Sequence, residues 1–330
     1  MSHHAAKLTL VLSLTLTATC RAESPESPRR KVRLTYSAVV QEVPKEARQV
    51  RLWLPFPSQS PYQRVSNITI NSDVPTSFQR DAEYGNPILF VETTGDAPRP
   101  ARIELSCDIE RVEHVNAAAR TAQAPQSRRE KSQISKRLLQ PDRLVPLDDK
   151  IQSLARQVTR GATTDLEKVK AIYEHTVATL TYDKSGTGWG RGDIHYACDI
   201  KKGNCTDFHA VFIGLCRASG IPARFEIGFP LPTDRPAGKI AGYHCWAECY
   251  VEGYGWFPVD ASEAQKHPEQ RDYFFGAHDQ HRVAFSQGRD VRLAPAQQGE
   301  PLNFFIYPYA EVDGKPWEKV ERGVEYAAAE

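Results

Sequence analysis

Three residues of this chain could act together on a covalent bond: Cys205 in GNCTDFHAVF (203–212), and His244 and Asp260 at the two ends of HCWAECYVEGYGWFPVD (244–260). Gly203 and Asn204 are turn residues. Phe208, Val211, Phe212 and Leu215 then follow at helical spacing, until Gly220 and Pro222 end the helix. Cys205 therefore falls in the first turn, where unpaired backbone amides and the positive end of the helix dipole favour a thiolate. A thiolate nucleophile needs a base, and the base needs a group that fixes its tautomer. The stretch from His244 alternates as two strands joined at EGYG. This puts His244, Trp246, Glu248 and Tyr250 on one face and Cys245, Ala247, Cys249 and Val251 on the other. The first face is expected to line a cleft and the second a core. A short hairpin returns Asp260 to the side of His244. His209, one turn along the helix of Cys205, is poorly placed to relay a proton and is expected to be structural.

The elements that must hold these residues are legible upstream. LDDKIQSLARQVTRG places Ile151, Leu154, Ala155 and Val158 on one helical face and stops at Gly161. A second helix follows, with Thr164 and Glu167 at capping-box spacing. Earlier still, VRLTYSAVV, QVRLWLPFP, NITINS, NPILFVETT and ARIELSCDI alternate as strands between turn-forming clusters. Residues 32–110 are therefore read as a small β-sandwich domain. Residues 111–145, low in bulky hydrophobes and carrying Arg128, Arg129, Lys131, Lys136 and Arg137, read as a solvated linker.

Composition narrows the function. Forty-two Lys and Arg balance 41 Asp and Glu, so no net field draws the chain to nucleic acid. Lys7 and the apolar run LTLVLSLTLTAT (8–19) precede a small-x-small site ending at Ala22, the pattern of a cleaved secretory signal over 1–22. Export to the periplasm or the medium is expected, with lipid attachment at Cys20 as the weaker alternative. Six cysteines follow, namely Cys107, Cys198, Cys205, Cys216, Cys245 and Cys249, which are too few for a disulfide scaffold. Their spacing, including C-x3-C in a strand, does not match structural zinc, so neither metal nor cofactor is expected. GTGWGRGD (186–193) lacks the Lys-Ser/Thr ending of a phosphate loop.

Cys205 in GNCTDFHAVF, His244 in YHCWAE and Asp260 in WFPVDAS together resemble the transglutaminase-like superfamily, whose members carry Cys, His and Asp in that chain order. The resemblance covers roughly 146–285. It implies an α+β fold: a papain-like or transglutaminase-like core of helices packed on an antiparallel sheet, preceded by the β-sandwich. The segment 286–330 is similar to a C-terminal β extension packing on that core. It also implies thiol-dependent acyl transfer on an amide bond, with a peptide or protein substrate, cell-wall peptide included, and hydrolysis favoured over protein cross-linking. Cys205 would attack, His244 would shuttle the proton and Asp260 would orient it. Trp189 is a candidate second oxyanion donor beside the Cys205 amide, and Trp246 a candidate shield of the His–Asp pair. The alternative from another class is a catalytically silent peptide-binding module using the same cleft.

Overall fold

The computed structural model describes residues 27–95, 101–120 and 134–329. The secretory-signal reading of 1–22, Cys20, and Arg128, Arg129 and Lys131 of the basic run lie outside the described residues. Alternating sequence becomes alternating burial. In β1 (Arg29–Val40) the residues Val32, Leu34, Tyr36, Ala38 and Val40 turn inward, and in β6 (Arg102–Val112) so do Ile103, Leu105, Cys107 and Ile109. These strands pair antiparallel, with β3 (Gln63–Ser72) beyond β6. A second antiparallel sheet carries β2 (Gln49–Pro55), β5 (Pro87–Thr94) and β4 (Thr76–Arg80). Val50, Leu52, Leu54, Leu89 and Val91 of this sheet join the inward residues of the first in one apolar core. Its other face is also covered: Trp53, Ile88 and Phe90 pack under Val291, Leu293 and Phe305.

The C-terminal segment reaches both halves of the molecule. Buried Arg289 donates to the carbonyls of Gly192 (2.7 Å) and Arg191 (2.8 Å), Phe304 packs against Phe225 and Tyr243, and the strands that follow complete both N-terminal sheets. β16 (Tyr309–Val312) pairs with β2 and carries the short β17 (Lys315–Pro316), while β18 (Val320–Ala328) pairs with β1 along nine residues and with β11 (Ala237–Lys239) on its other side. The physical reason is edge closure: β1 and β2 would otherwise present rows of unpaired amides and carbonyls. The presumed linker is also not simply solvated. β7 (His114–Val115) pairs with β14 (Ala277–His278), ahead of the single turn α1 (Ala117–Arg120). Farther on, Asp142 is buried between Arg137 (Nη2, 2.6 Å) and Arg217 (Nη1, 2.7 Å). Apolar bulk is scarce there because ion pairing holds the segment.

The helical half is built around α5 (Cys205–Ala218), in which every residue from Cys205 to Arg217 is buried. Packed on it are α2 (Asp149–Val158), capped by Asp148, and α3 (Asp165–Thr179), whose Thr164–Glu167 capping box forms as the sequence predicts. α4 (Ile194–Ile200) crosses closely enough that a Cβ at Gly214 would lie 2.3 Å from Ile194 Cδ1. Behind α5 stands a four-stranded antiparallel sheet in the order β13 (Gly255–Val259), β12 (His244–Val251), β10 (Ala223–Pro230), β15 (Arg282–Gln287). A short parallel pair, β8 (Thr181–Tyr182) and β9 (Lys202–Gly203), leads into α5, and α6 (Ala261–Lys266) follows β13.

Candidate active site

Cys205 is the first residue of α5. Asn204 caps the helix, its side chain accepting the amide of Thr206 at 2.9 Å, and Asp207 accepts the amide of Asn204 at 2.9 Å. The same Asp207 carboxylate takes the amides of Gly190 (2.7 Å) and Gly192 (3.0 Å), which clamps the GTGWGRG loop onto the start of α5. Gly192 needs its freedom here: its φ is +63°, and a Cβ would meet Arg289 and Thr206 at 2.8 Å. The glycines therefore serve backbone packing around Cys205.

His244 opens β12, and Asp260 follows β13, whose hairpin register sets Ala247 opposite Val259. His244 Nε2 donates to Asp260 Oδ2 at 2.7 Å, which leaves Nδ1 outside that bond, and the imidazole is close enough to the Cys205 thiol to favour its ionised form. Asp260 also caps α6. Its Oδ1 accepts from the Glu263 amide and from Ser262 Oγ, each at 3.0 Å, while Arg282 Nη1 donates to Oδ2 at 3.0 Å. A carboxylate with this many donors is held ionised and in one rotamer.

The electrostatics follow from these contacts. Burial alone would push the Cys205 thiol up, but hydrogen bonds from Cys245 and His244 and the charges of His244 and His209 bring it well below the usual thiol range. Burial likewise opposes protonation of His244, yet Asp260 and the Cys205 thiolate raise it to about 10. Asp260 is held well below the carboxylate range by His244 and Arg282, against its own desolvation. At neutral pH the site is therefore a thiolate–imidazolium pair backed by a carboxylate. A cavity of about 730 Å³ opens beside His244 and is lined in part by Glu263, His267, Tyr273 and Arg282.

Other expectations about these residues change. β12 does not divide into a cleft face and a core face, since all eight residues are buried. Distant segments cover the polar face. Arg282 lies over the Trp246 ring at 4.9 Å, Glu226 accepts the indole N–H at 2.8 Å, and Glu248 pairs with Arg224 and with His114 (3.1 Å). The Trp246 ring stands 5.9 Å from the His244 ring. Trp189 does not serve as the oxyanion donor in this arrangement, because its indole N–H donates to the Gly186 carbonyl at 3.1 Å. His209 turns Nδ1 back to the Cys205 carbonyl at 2.8 Å and so braces the first turn of α5.

Sequence reasoning missed Arg282, Cys245 and Tyr243. The Tyr243 hydroxyl bridges Thr206 Oγ1 (2.8 Å) and Asn204 Nδ2 (3.1 Å) at the mouth of α5. Its adjacency to His244 in YHCW was the available signal. Arg282, 22 positions beyond Asp260, left none. All six described cysteines are free thiols. Among the described residues two groups could hold a metal ion: His244, Asp260 and Glu263, which overlap the site, and buried His114, Glu248 and His278, whose ligand atoms lie within 4.8 Å of one another.

Residues 152–261, an interval containing Cys205, His244 and Asp260, match the family model of the transglutaminase-like superfamily. An uncharacterized protein of Haemophilus influenzae is 29% identical over 317 residues, which cover 86% of this chain and 85% of that one. The uncharacterized protein YebA of Bacillus subtilis is 26% identical over 138 residues, 38% of this chain and 19% of YebA. Among solved structures, a candidate cysteine protease from Cytophaga hutchinsonii shares the fold, with a TM-score of 0.60 at 16% identity over 92% of each chain. Residues 152–261, Cys205, His244 and Asp260 among them, thus form a domain of the transglutaminase-like superfamily.

Proposed function

We propose that the protein is a cysteine enzyme that transfers the acyl group of an amide through a thioester on Cys205, with peptides or proteins as substrates and water as the ordinary acceptor. The observation that carries this reading is His244, held by Asp260 through a 2.7 Å hydrogen bond and coupled electrostatically to the Cys205 thiol. The thiolate adds to the amide carbonyl, and the His244 imidazolium gives its proton to the departing amine. Neutral His244 then takes a proton from water, whose oxygen attacks the thioester and restores the thiol. The Cys205 amide, at the head of α5, is the natural first oxyanion donor. The leader read in residues 1–22 would deliver this activity outside the cytosol.

Alkylation of Cys205 by limiting iodoacetamide, followed across pH by peptide mass spectrometry, tests the proposal. The wild type should label rapidly near pH 6, and His244→Ala should shift labelling toward about pH 8.5, where an unperturbed thiol ionises. Wild-type labelling that itself begins only near that pH would overturn the nucleophile and leave a cleft that only binds peptides.

A further inference from the structure

Cys245 directly follows the base, and the catalytic scheme above gives it no role. It lies on the face of β12 that packs against α5, fully buried, with its Sγ 3.7 Å from His209 Nδ1 and 3.8 Å from Thr206 Oγ1. Thr206 directly follows Cys205 and His209 bonds the Cys205 carbonyl, so Cys245 faces the start of α5 where Cys205 lies. From this placement we infer that Cys245 is a modification site: it resolves an oxidised Cys205 by forming a Cys205–Cys245 disulfide, with a peroxide as the oxidant. The inference rests on the reading of Cys205 as a thiolate nucleophile.

The chemistry balances with hydrogen peroxide. The Cys205 thiolate attacks one peroxide oxygen, forming an S–O bond as the O–O bond breaks, and hydroxide leaves. Cys245 then attacks the sulfenic sulfur, its thiol proton going to the departing hydroxyl, so that the S–O bond breaks, an S–S bond forms and water leaves. Each sulfur gives up one electron and the peroxide takes both. The two thiols are suited to different halves of the sequence. Cys205 is kept ionised by His244, whereas burial and the neighbouring Cys205 thiolate push Cys245 up, so that it waits as a thiol. Desolvation of a thiol beside a sulfenic acid leaves few competing acceptors, and a disulfide there removes the nucleophile reversibly. A second buried pair, Cys216 of α5 and Cys249 of β12, lies across the same interface and supplies an internal control.

The test uses the full chain. Iodoacetamide labelling near pH 6 first establishes whether Cys205 is a thiolate, so that failure of the catalytic reading is recognised separately. The protein is then treated with excess hydrogen peroxide, since a sulfinic acid consumes two peroxides per thiol, and analysed by intact mass and non-reducing peptide mapping. The wild type should lose about 2 Da, yield a linked peptide joining Cys205 to Cys245, and recover labelling after dithiothreitol. Cys245→Ala should instead accumulate about 32 Da of sulfinic acid at Cys205, with labelling lost irreversibly. Cys245→Ser provides the same readout should the alanine variant fold poorly. Equal accumulation of sulfinic acid in wild type and variants, or a link confined to Cys216 and Cys249, would overturn the inference.

Discussion

Asp260 shows how one side chain can serve structure and chemistry together. It caps α6, draws Arg282 into the core, and presents the same Oδ2 to His244 and to Arg282. Replacing it with Asn keeps the shape and removes the charge, so the imidazolium loses the interaction that raises it to about 10. A histidine raised in this way stays protonated until pH passes its folded pKa, and the thiolate it stabilises persists down to the depressed pKa of Cys205. Asp260→Asn should therefore lower turnover by about 10³- to 10⁴-fold. It should also bring the alkaline limb of the pH profile down from near 10, and raise the pH at which Cys205 alkylates. Titration of both variants by alkylation and by activity on a peptide substrate checks this, and an unchanged alkaline limb would contradict the assigned role. The order Cys205, His244, Asp260 was legible because each residue sits where local pattern alone places it, at a helix start or a strand end. Arg282 was not, because it opens an ordinary apolar strand and meets Asp260 only through the tertiary fold. Cys245 read as one more core residue because nothing local shows which helix it faces.

At the scale of elements, the junction of β10 and β15 sets the position of His244. The pairing register shifts between Ile227 and Gly228, and Gly228 lies directly opposite His244 in the neighbouring pair. A Cβ on Gly228 would fall 1.8 Å from the backbone carbonyl oxygen of Val283, which no side-chain rotation relieves. Gly228→Ala should thus destabilise the fold by about 1–3 kcal/mol, the range of an overpacked core. It should also slow Cys205 alkylation near pH 6 by moving His244. Urea denaturation and alkylation read the two effects, and loss of stability with normal alkylation would show that β12 holds its place without β10. This contact had no signature beyond an isolated glycine in a strand pattern. The helices fared better, since Asp148, Thr164 and Glu167 cap through neighbours three residues away. The burial of β12 on both faces was misread because Glu226, Arg282 and His114 come to its polar face from elsewhere in the chain.

For the whole molecule, the C-terminal strand connects the β-sandwich to the cleft. β18 lies between β1 and β11, so the segment that leads from β10 to His244 is held by strand pairing from the far end of the chain. The Ile240 amide donates to the Val324 carbonyl at 2.9 Å, and the Tyr326 hydroxyl to the Arg235 carbonyl at 3.0 Å. Arg30 of β1 adds bonds to the carbonyls of Leu231 (3.0 Å) and Pro232 (2.7 Å). The resemblance implied a C-terminal β extension over 286–330 but not its partners, because strands this distant pair by edge availability rather than by local pattern. Removal of residues 320–330 takes away the β18 contacts while leaving those of Arg30. Amides from Ala237 to Ile240 should then exchange with solvent about tenfold faster or more, as local opening loses its tertiary restraint. α5, buried along its length by other elements, should keep its protection. Hydrogen exchange by mass spectrometry separates the two regions. Faster exchange in both would mean that β18 supports the entire fold, and no change in either would mean that Arg30 alone fixes the approach to His244.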